Sequence, residues 1–160
     1  MSWFKSREWF LRKIRGIADY QFGLGVGKIL FPENVSLRFS KKTGRVREIY
    51  LDGKLLATLR PTTGSLSLTI EGFKRIIEVF KPPRFRVVVK DDVKDFIKKG
   101  GDVFAKHVEE ADVNIRPKDE VVIVDKNDNI LAVGKAILSG KEMKFFKRGV
   151  AVKVKHGIEE

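Results

Sequence analysis

How residues 20–31, "YQFGLGVGKILF", are read decides whether the chain opens on a nucleotide-binding loop or on packed helices. Gly23, Gly25 and Gly27 alternate with apolar residues, and Lys28 follows. A Walker phosphate loop needs a strand, then G-x-x-x-x-G-K-[ST], then a helix. Gly27-Lys28 supplies the last pair, but Ile29 stands where a hydroxyl should hold magnesium. A dinucleotide fingerprint needs G-x-G-x-x-G after a strand, with an acid about 20 residues on. The spacing here is G-x-G-x-G, and the preceding segment reads as a helix. Both templates fail on context, which disfavours a small nucleotide-dependent enzyme built on Gly23–Lys28. The stretch is read instead as a kinked helix–helix joint, in which missing Cβ atoms let two backbones approach closely.

On the N-terminal side, residues 3–18 have helix spacing. Trp3, Phe10, Ile14 and Ile17 share a face, flanked by Phe4, Leu11 and Ala18, with Lys5, Arg12, Lys13 and Arg15 opposite. Trp9 falls among the cations. Two readings stand for it: a surface ring that stacks on a base, with Arg12 and Lys13 beside it, or a ring packed against the second half of the protein. On the C-terminal side the period changes. "VSLRF" (35–39), "RVREIYL" (45–51), "KLLATLR" (54–60) and "SLSLTI" (65–70) are short alternating runs. The turn signals between them contain Gly44, Gly53 and Gly64, which predicts an antiparallel meander. "EGFKRIIEVF" (71–80) returns to helix spacing, and "KPP" (81–83) ends it. A domain boundary is expected there, with a basic α+β domain over 1–82 and a second domain over 83–160.

The second half begins with a strand, "RFRVVVK" (84–90). A short helix, "DDVKDFIKKGG" (91–101), is expected to be capped by Asp91 or Asp92 and closed by Gly100. "DVFAKHV" (102–108) reads as a strand, and residues 115–138 as a hairpin about "KNDN". Ser139 and Glu142 form a capping box for a second short helix. The last strand, "VAVKVKH", points Val150, Val152 and Val154 inward and Lys153 and Lys155 outward. The fold class expected is α+β: N-terminal helices, a meander and a helix, then a mixed β pseudobarrel with two short helices.

Charge points to a partner. Thirty-three Lys and Arg against 21 Asp and Glu give a net +12 over 160 residues. Such a field concentrates polyanions, so nucleic acid is the expected ligand. A charge-rich thermophile protein with no use for its lysines is the alternative. Residues 1–83 hold 16 basic and 7 acidic side chains, and residues 84–160 hold 17 and 14, so the first half supplies most of the field. There is no Cys, hence no disulfide, thiolate or zinc finger, and with only His107 and His156 no metal site is expected. No apolar run is long enough to span a membrane and the N-terminus lacks a signal-peptide core, so a cytoplasmic protein is expected. The acid pairs Asp91-Asp92 and Glu109-Glu110 fit caps and surface turns, and no nucleophile-elbow motif is present. No active site and no cofactor are expected.

Four blocks in the second half, "GGDVFAKHV" (100–108), "ADVNIRPKDEVVIVD" (111–125), "ILAVGKAILSGKEM" (130–143) and "RGVAVKVKHG" (148–157), resemble the PUA domain, an RNA-binding module. In the first half, "ADYQFGLGVGKILFP" followed by the meander looks like the domain that precedes PUA in archaeal tRNA-guanine transglycosylase. The catalytic barrel and zinc site of that enzyme have no counterpart in these residues. The resemblance implies RNA lying across the first helix of the domain, its glycine loop, the next strand and the last strand. By matching position this means Gly100, Gly101, Val103, Phe104, Ala105, Lys106, Lys153 and Lys155, with Lys98, Lys99, Lys147 and Arg148 extending the patch. Two departures stand out. Lys106-His107 replaces a common Pro-Gly, and Lys118 replaces a common Gly. The expectation is a non-catalytic RNA-binding protein, with tRNA as ligand in connection with tRNA modification. The alternative is an accessory subunit docking on a tRNA-modifying enzyme that lacks its own RNA-binding tail. Neither reading involves a membrane.

Overall fold

The computed structural model describes residues 6–160, so Trp3, Phe4 and Lys5 lie outside the described residues. The chain divides into two compact units, the first ending at Ile76 and the second spanning Ile77–Glu160.

In the first unit, helix α1 spans Arg7–Phe22. Ser6 caps it by accepting the Trp9 N–H at 3.1 Å. The helix runs four residues past the expected end, to the Gly23 N–H that bonds Asp19 O. Its buried stripe is Leu11, Ile14, Ala18 and Phe22, while Phe10 and Ile17 are only half-buried. The apolar face is thus centred one position away from the expected one. Helix α2, Val26–Leu30, follows a Gly25 with φ 94°. Its Gly27 N–H bonds the Asp19 carboxylate at 2.7 Å. A Cβ on Gly27 would lie 2.3 Å from the Arg15 carbonyl oxygen. The glycine stretch is therefore a joint: only glycine lets α2 sit this close to α1.

Strands β1 (Ser36–Phe39), β2 (Val46–Leu51), β3 (Lys54–Leu59) and β4 (Leu66–Leu68) form an antiparallel sheet in chain order. Leu37, Ile49, Ala57 and Leu68 align across it. Helix α3, Ile70–Ile77, starts where the Thr69 hydroxyl accepts the Gly72 N–H at 3.1 Å. Phe73 and Ile76 are completely buried, and Phe22 meets Phe73 edge-on at 6.4 Å.

The second unit holds β5 (Arg86–Val89), α4 (Lys94–Lys98), β6 (Val103–Phe104), β7 (Val108–Ala111), β8 (Glu120–Val124), β9 (Ile130–Ala136), α5 (Gly140–Phe145) and β10 (Val150–Gly157). Its sheet runs β6-β10-β9-β8-β5-β7. The β5–β8 pair is parallel and the others antiparallel, making a nearly closed mixed pseudobarrel. Val121, Val122 and Ile123 of β8 are wholly buried at its centre.

Two local expectations need correction. Asp91 and Asp92 do not cap a helix: they lie inside a 3-10 turn, Asp91–Val93, and neither that turn nor α4 has a side-chain cap. "DVFAKHV" is not one strand. A 3-10 turn at Ala105–His107 separates β6 from β7, which lie on opposite edges of the sheet. The α5 capping box is present, with Ser139 and Glu142 each bonding the other's backbone N–H.

Arg86 is 1% exposed and uses all five donors. Nε and Nη2 grip Asp128 at 3.0 and 2.9 Å. Nη1 serves the carbonyls of Phe80 and Arg84, and Nη2 also serves Ile77. The planar fork suits this double carboxylate grip, which a lysine ammonium would not reproduce.

A candidate nucleic-acid interface

The C-terminus of α4 sets the site. Gly100, at φ 102°, sends its N–H to Ile97 O at 2.9 Å, and Gly101 sends its own to Phe96 O at 3.0 Å. This pair of bonds closes a helix in a left-handed turn. A Cβ on Gly101 would fall 2.2 Å from the Phe96 ring. The glycine thus makes room for Phe96, which is 56% exposed.

The chain then enters β6, which pairs with β10 through Val103–Val152 and Phe104–Val150. The Asp102 carboxylate accepts the Val154 N–H at 2.9 Å, and the Ala105 N–H bonds Gly149 O at 2.9 Å. Gly157 closes the far side, where a Cβ would meet Lys98 O at 2.2 Å and Gly100 N at 2.7 Å. Residues 98–105 and 149–157 are therefore neighbours.

The residues expected at this site differ in what they can offer a ligand. Lys99, Lys106, Lys147, Arg148 and Lys153 are exposed and make no ion pair among the described residues. Phe104 is exposed beside His107, their ring centroids 6.3 Å apart. Val103 and Ala105 are core residues, 0% and 3% exposed, so their side chains are closed to a ligand.

Lys98 and Lys155 are committed elsewhere. Lys98 pairs with Glu159 at 3.7 Å. Lys155 does not point freely outward: its ammonium pairs with the buried Glu120 carboxylate. The cause is a register shift in β10 between Val154 and His156, which breaks the alternation read from the sequence.

Two features escaped the sequence reading. Phe96 is exposed because its neighbour Ile97 takes the core position on a short helix. The Glu160 carboxylate accepts the Gly157 N–H at 2.8 Å and stands against Gly100, so an anionic group already rests on the glycine loop. The acidic pair that follows a basic strand was the available signal.

Elsewhere in this unit, burial pushes the Asp125 carboxyl up. Hydrogen bonds from the Asn129 backbone and side chain and the Asn127 backbone, together with the Lys94 ammonium, outweigh that effect. They hold it below its ordinary value of 3.8. The N–H donors lie at 2.9–3.1 Å and Lys94 at 3.4 Å.

In the first unit, Trp9 and Lys13 stay together, with the Lys13 ammonium 5.2 Å from the Trp9 ring centroid. Arg12 lies apart, paired with Glu8 at 3.6 Å. Among the described residues, no group of three or more His, Cys, Asp or Glu is placed to hold a metal ion. No helix there is long and apolar enough to cross a membrane.

Residues 85–158 match the PUA domain, and residues 12–83 match the patch-forming domain C2 of tRNA-guanine transglycosylase. The two matches follow one another along the chain, from residue 12 to residue 158. Its two domains together are similar to the C-terminal region of archaeal tRNA-guanine(15) transglycosylases. It is 48% identical to that of Thermococcus kodakarensis over 147 residues and 48% identical to that of Pyrococcus furiosus over 155. These matches cover 92% and 97% of this chain but 25% and 26% of those enzymes. The chain thus spans about a quarter of the length of the curated relatives it matches. Among solved structures, a hypothetical protein from Pyrococcus horikoshii superposes with a TM-score of 0.75 at 26% identity, over 98% of this chain and 93% of its own. A conserved PUA domain protein from Thermoplasma acidophilum shares the fold, with a TM-score of 0.65 at 22% identity over 98% and 93%.

Proposed function

We propose that this protein binds RNA, with tRNA as its ligand, and serves tRNA modification without catalysing a reaction itself. The observation that carries this reading is the set of unpaired cations around the α4 glycine loop. Lys99, Lys106, Arg148 and Lys153 stand in or next to the neighbouring segments 98–105 and 149–157, in a unit that matches the PUA domain. Lysines there attract phosphates without reading sequence. Exposed Phe96 and Phe104 add flat apolar surface for an unpaired base. The matched region falls on the domains outside the relatives' catalytic domain, which supports a binding role.

The experiment compares binding of tRNA, total RNA and duplex DNA of equal length at low and near-physiological salt. The expected result is that tRNA binds best and persists at the higher salt, and that Lys153→Glu or Lys106→Glu abolishes this preference. Equal binding of all three, fading together with salt, would leave only a non-specific coat of charge. In that case, a stoichiometric partner co-purifying from native lysate would move the protein to the role of a subunit on a modifying enzyme.

A further inference from the structure

The first unit holds a cavity of about 620 Å³ that the surface described above does not use. It opens between the first half of α1 and the two turns at one end of the sheet, β1–β2 and β3–β4. One wall is aromatic. Phe10 stands edge-on to Trp9 at 5.1 Å and to Phe39 at 4.8 Å. Trp9 is 38% exposed and Phe39 41%.

The rim is cationic. Lys13, Arg45, Arg47 and Arg60 line the cavity, and no Asp or Glu does so among the described residues. None of the four joins an ion pair there, and Arg60 reaches only the Ser67 hydroxyl, at 3.5 Å. The cleft on the other side of α1 differs. It mixes Arg7, Arg12, Arg15 and Lys28 with Glu8, Asp19 and Glu33. Its Arg12 and Arg15 are paired with Glu8 and Glu33. That cleft is largely neutralised from within, whereas the aromatic cavity is not.

An apolar, flat-sided cavity ringed by unneutralised cations fits a ligand with a planar body and an attached anion. A nucleotide has both: a base with a π-face and a phosphate on each side. The volume lies within the range of sites that enclose small organic ligands. A base held inside a duplex cannot enter, while an unpaired base can be splayed from its strand and stacked.

We propose that this cavity takes one unpaired nucleotide of a bound RNA strand. Its base rests on the Trp9 and Phe39 rings, and its flanking phosphates lie on Lys13, Arg45, Arg47 and Arg60. The inference rests on the RNA-binding reading and adds to it a second contact, on the first unit. Among the described residues, Thr43 and the Trp9 indole N–H are the uncharged hydrogen-bonding groups on the wall, so the cavity holds a base mainly by stacking and discriminates little among the four.

The test uses the full chain carrying Trp3→Phe, which leaves Trp9 as its only tryptophan. Three probes of equal length are titrated: single-stranded oligoadenylate, an abasic ribose-phosphate strand and a blunt RNA duplex. Binding of tRNA is measured in parallel. Oligoadenylate is expected to quench Trp9 fluorescence and to bind about 5- to 150-fold tighter than the abasic strand, the range that stacking one base supplies. Trp9→Leu should erase that advantage. Arg45→Gln with Arg47→Gln, both at exposed positions, should weaken the two single strands alike. The proposal is overturned if tRNA binds while oligoadenylate gains nothing over the abasic strand, or if the gain survives Trp9→Leu. Absence of binding by tRNA and all three probes would overturn the RNA-binding reading, and the cavity's role with it. Should Trp9→Leu fail to fold, fluorescence and the arginine variants still decide the question.

Discussion

Single residues carry obligations that can be measured. Asp125 organises the β8–β9 turn through Asn127 and Asn129 and is held below its ordinary value. Since the folded carboxyl titrates below the unfolded one, its stabilisation is complete above the usual carboxylate range. It is lost as pH falls through the lowered value. Asp125→Ala should therefore cost about 1–3 kcal/mol at neutral pH. Melts across a pH series should show that gap closing in acid; a gap independent of pH would reject the assignment. Lys118 gives the opposite sign. It holds φ 77° at a position where many PUA domains carry glycine. Lys118→Gly should raise stability by up to about 1 kcal/mol, as relief of left-handed strain exceeds the added chain entropy. Chemical denaturation reads this directly. The sequence flagged Lys118 as a departure from the family pattern but not as a strained residue. Arg86 was less legible still: in an alternating strand it reads as an outward cation, and only the bend that brings Asp128 and three carbonyls around it accounts for its burial.

Secondary-structure elements were the most legible level, since periodicity acts locally. The four runs between turn glycines became four strands, and the 3.6 spacing of Phe73, Ile76 and Ile77 became a helix. Errors arose where a distant partner redirects the chain. β6 gives way after two residues to the 3-10 turn Ala105–His107, and Lys155 turns toward Glu120 at a register shift in β10. Neither cause is visible along the chain. The α1–α2 joint is a case where local reading sufficed, and it separates two roles of glycine. Gly27→Ala drives a methyl against the Arg15 backbone and should destabilise the first unit by about 1–3 kcal/mol, with disturbed packing of α2. Gly25→Ala meets open space and should cost only the left-handed strain, about 1–2 kcal/mol. Thermal melts alone do not part the two. Tryptophan or NMR signatures of α1–α2 packing do, and equal perturbation of that packing by both variants would contradict the joint.

For the whole molecule, charge sets the reach and the loops set the grip. A net charge of +12 predicts a steep fall of tRNA affinity with salt, and neutralising one phosphate-bound lysine such as Lys153 should lower the log–log slope by about one. An unchanged slope would place Lys153 away from phosphate. Bulk composition and the glycine-loop blocks singled out the region of the proposed surface. Its details were not foreseeable, because the burial of Val103 and the ion pairs of Lys98 and Lys155 are set by contacts between distant parts of the chain. The Glu160 carboxylate on the Gly157 N–H has a consequence for timing. A phosphate that settles on the glycine loop must first evict a resident anion that remains tethered beside it. Arrival is then an exchange of one negative group for another, and the evicted carboxylate, at high effective concentration, is always ready to return. On the proposed RNA-binding reading, such a site favours release over tight retention of the RNA.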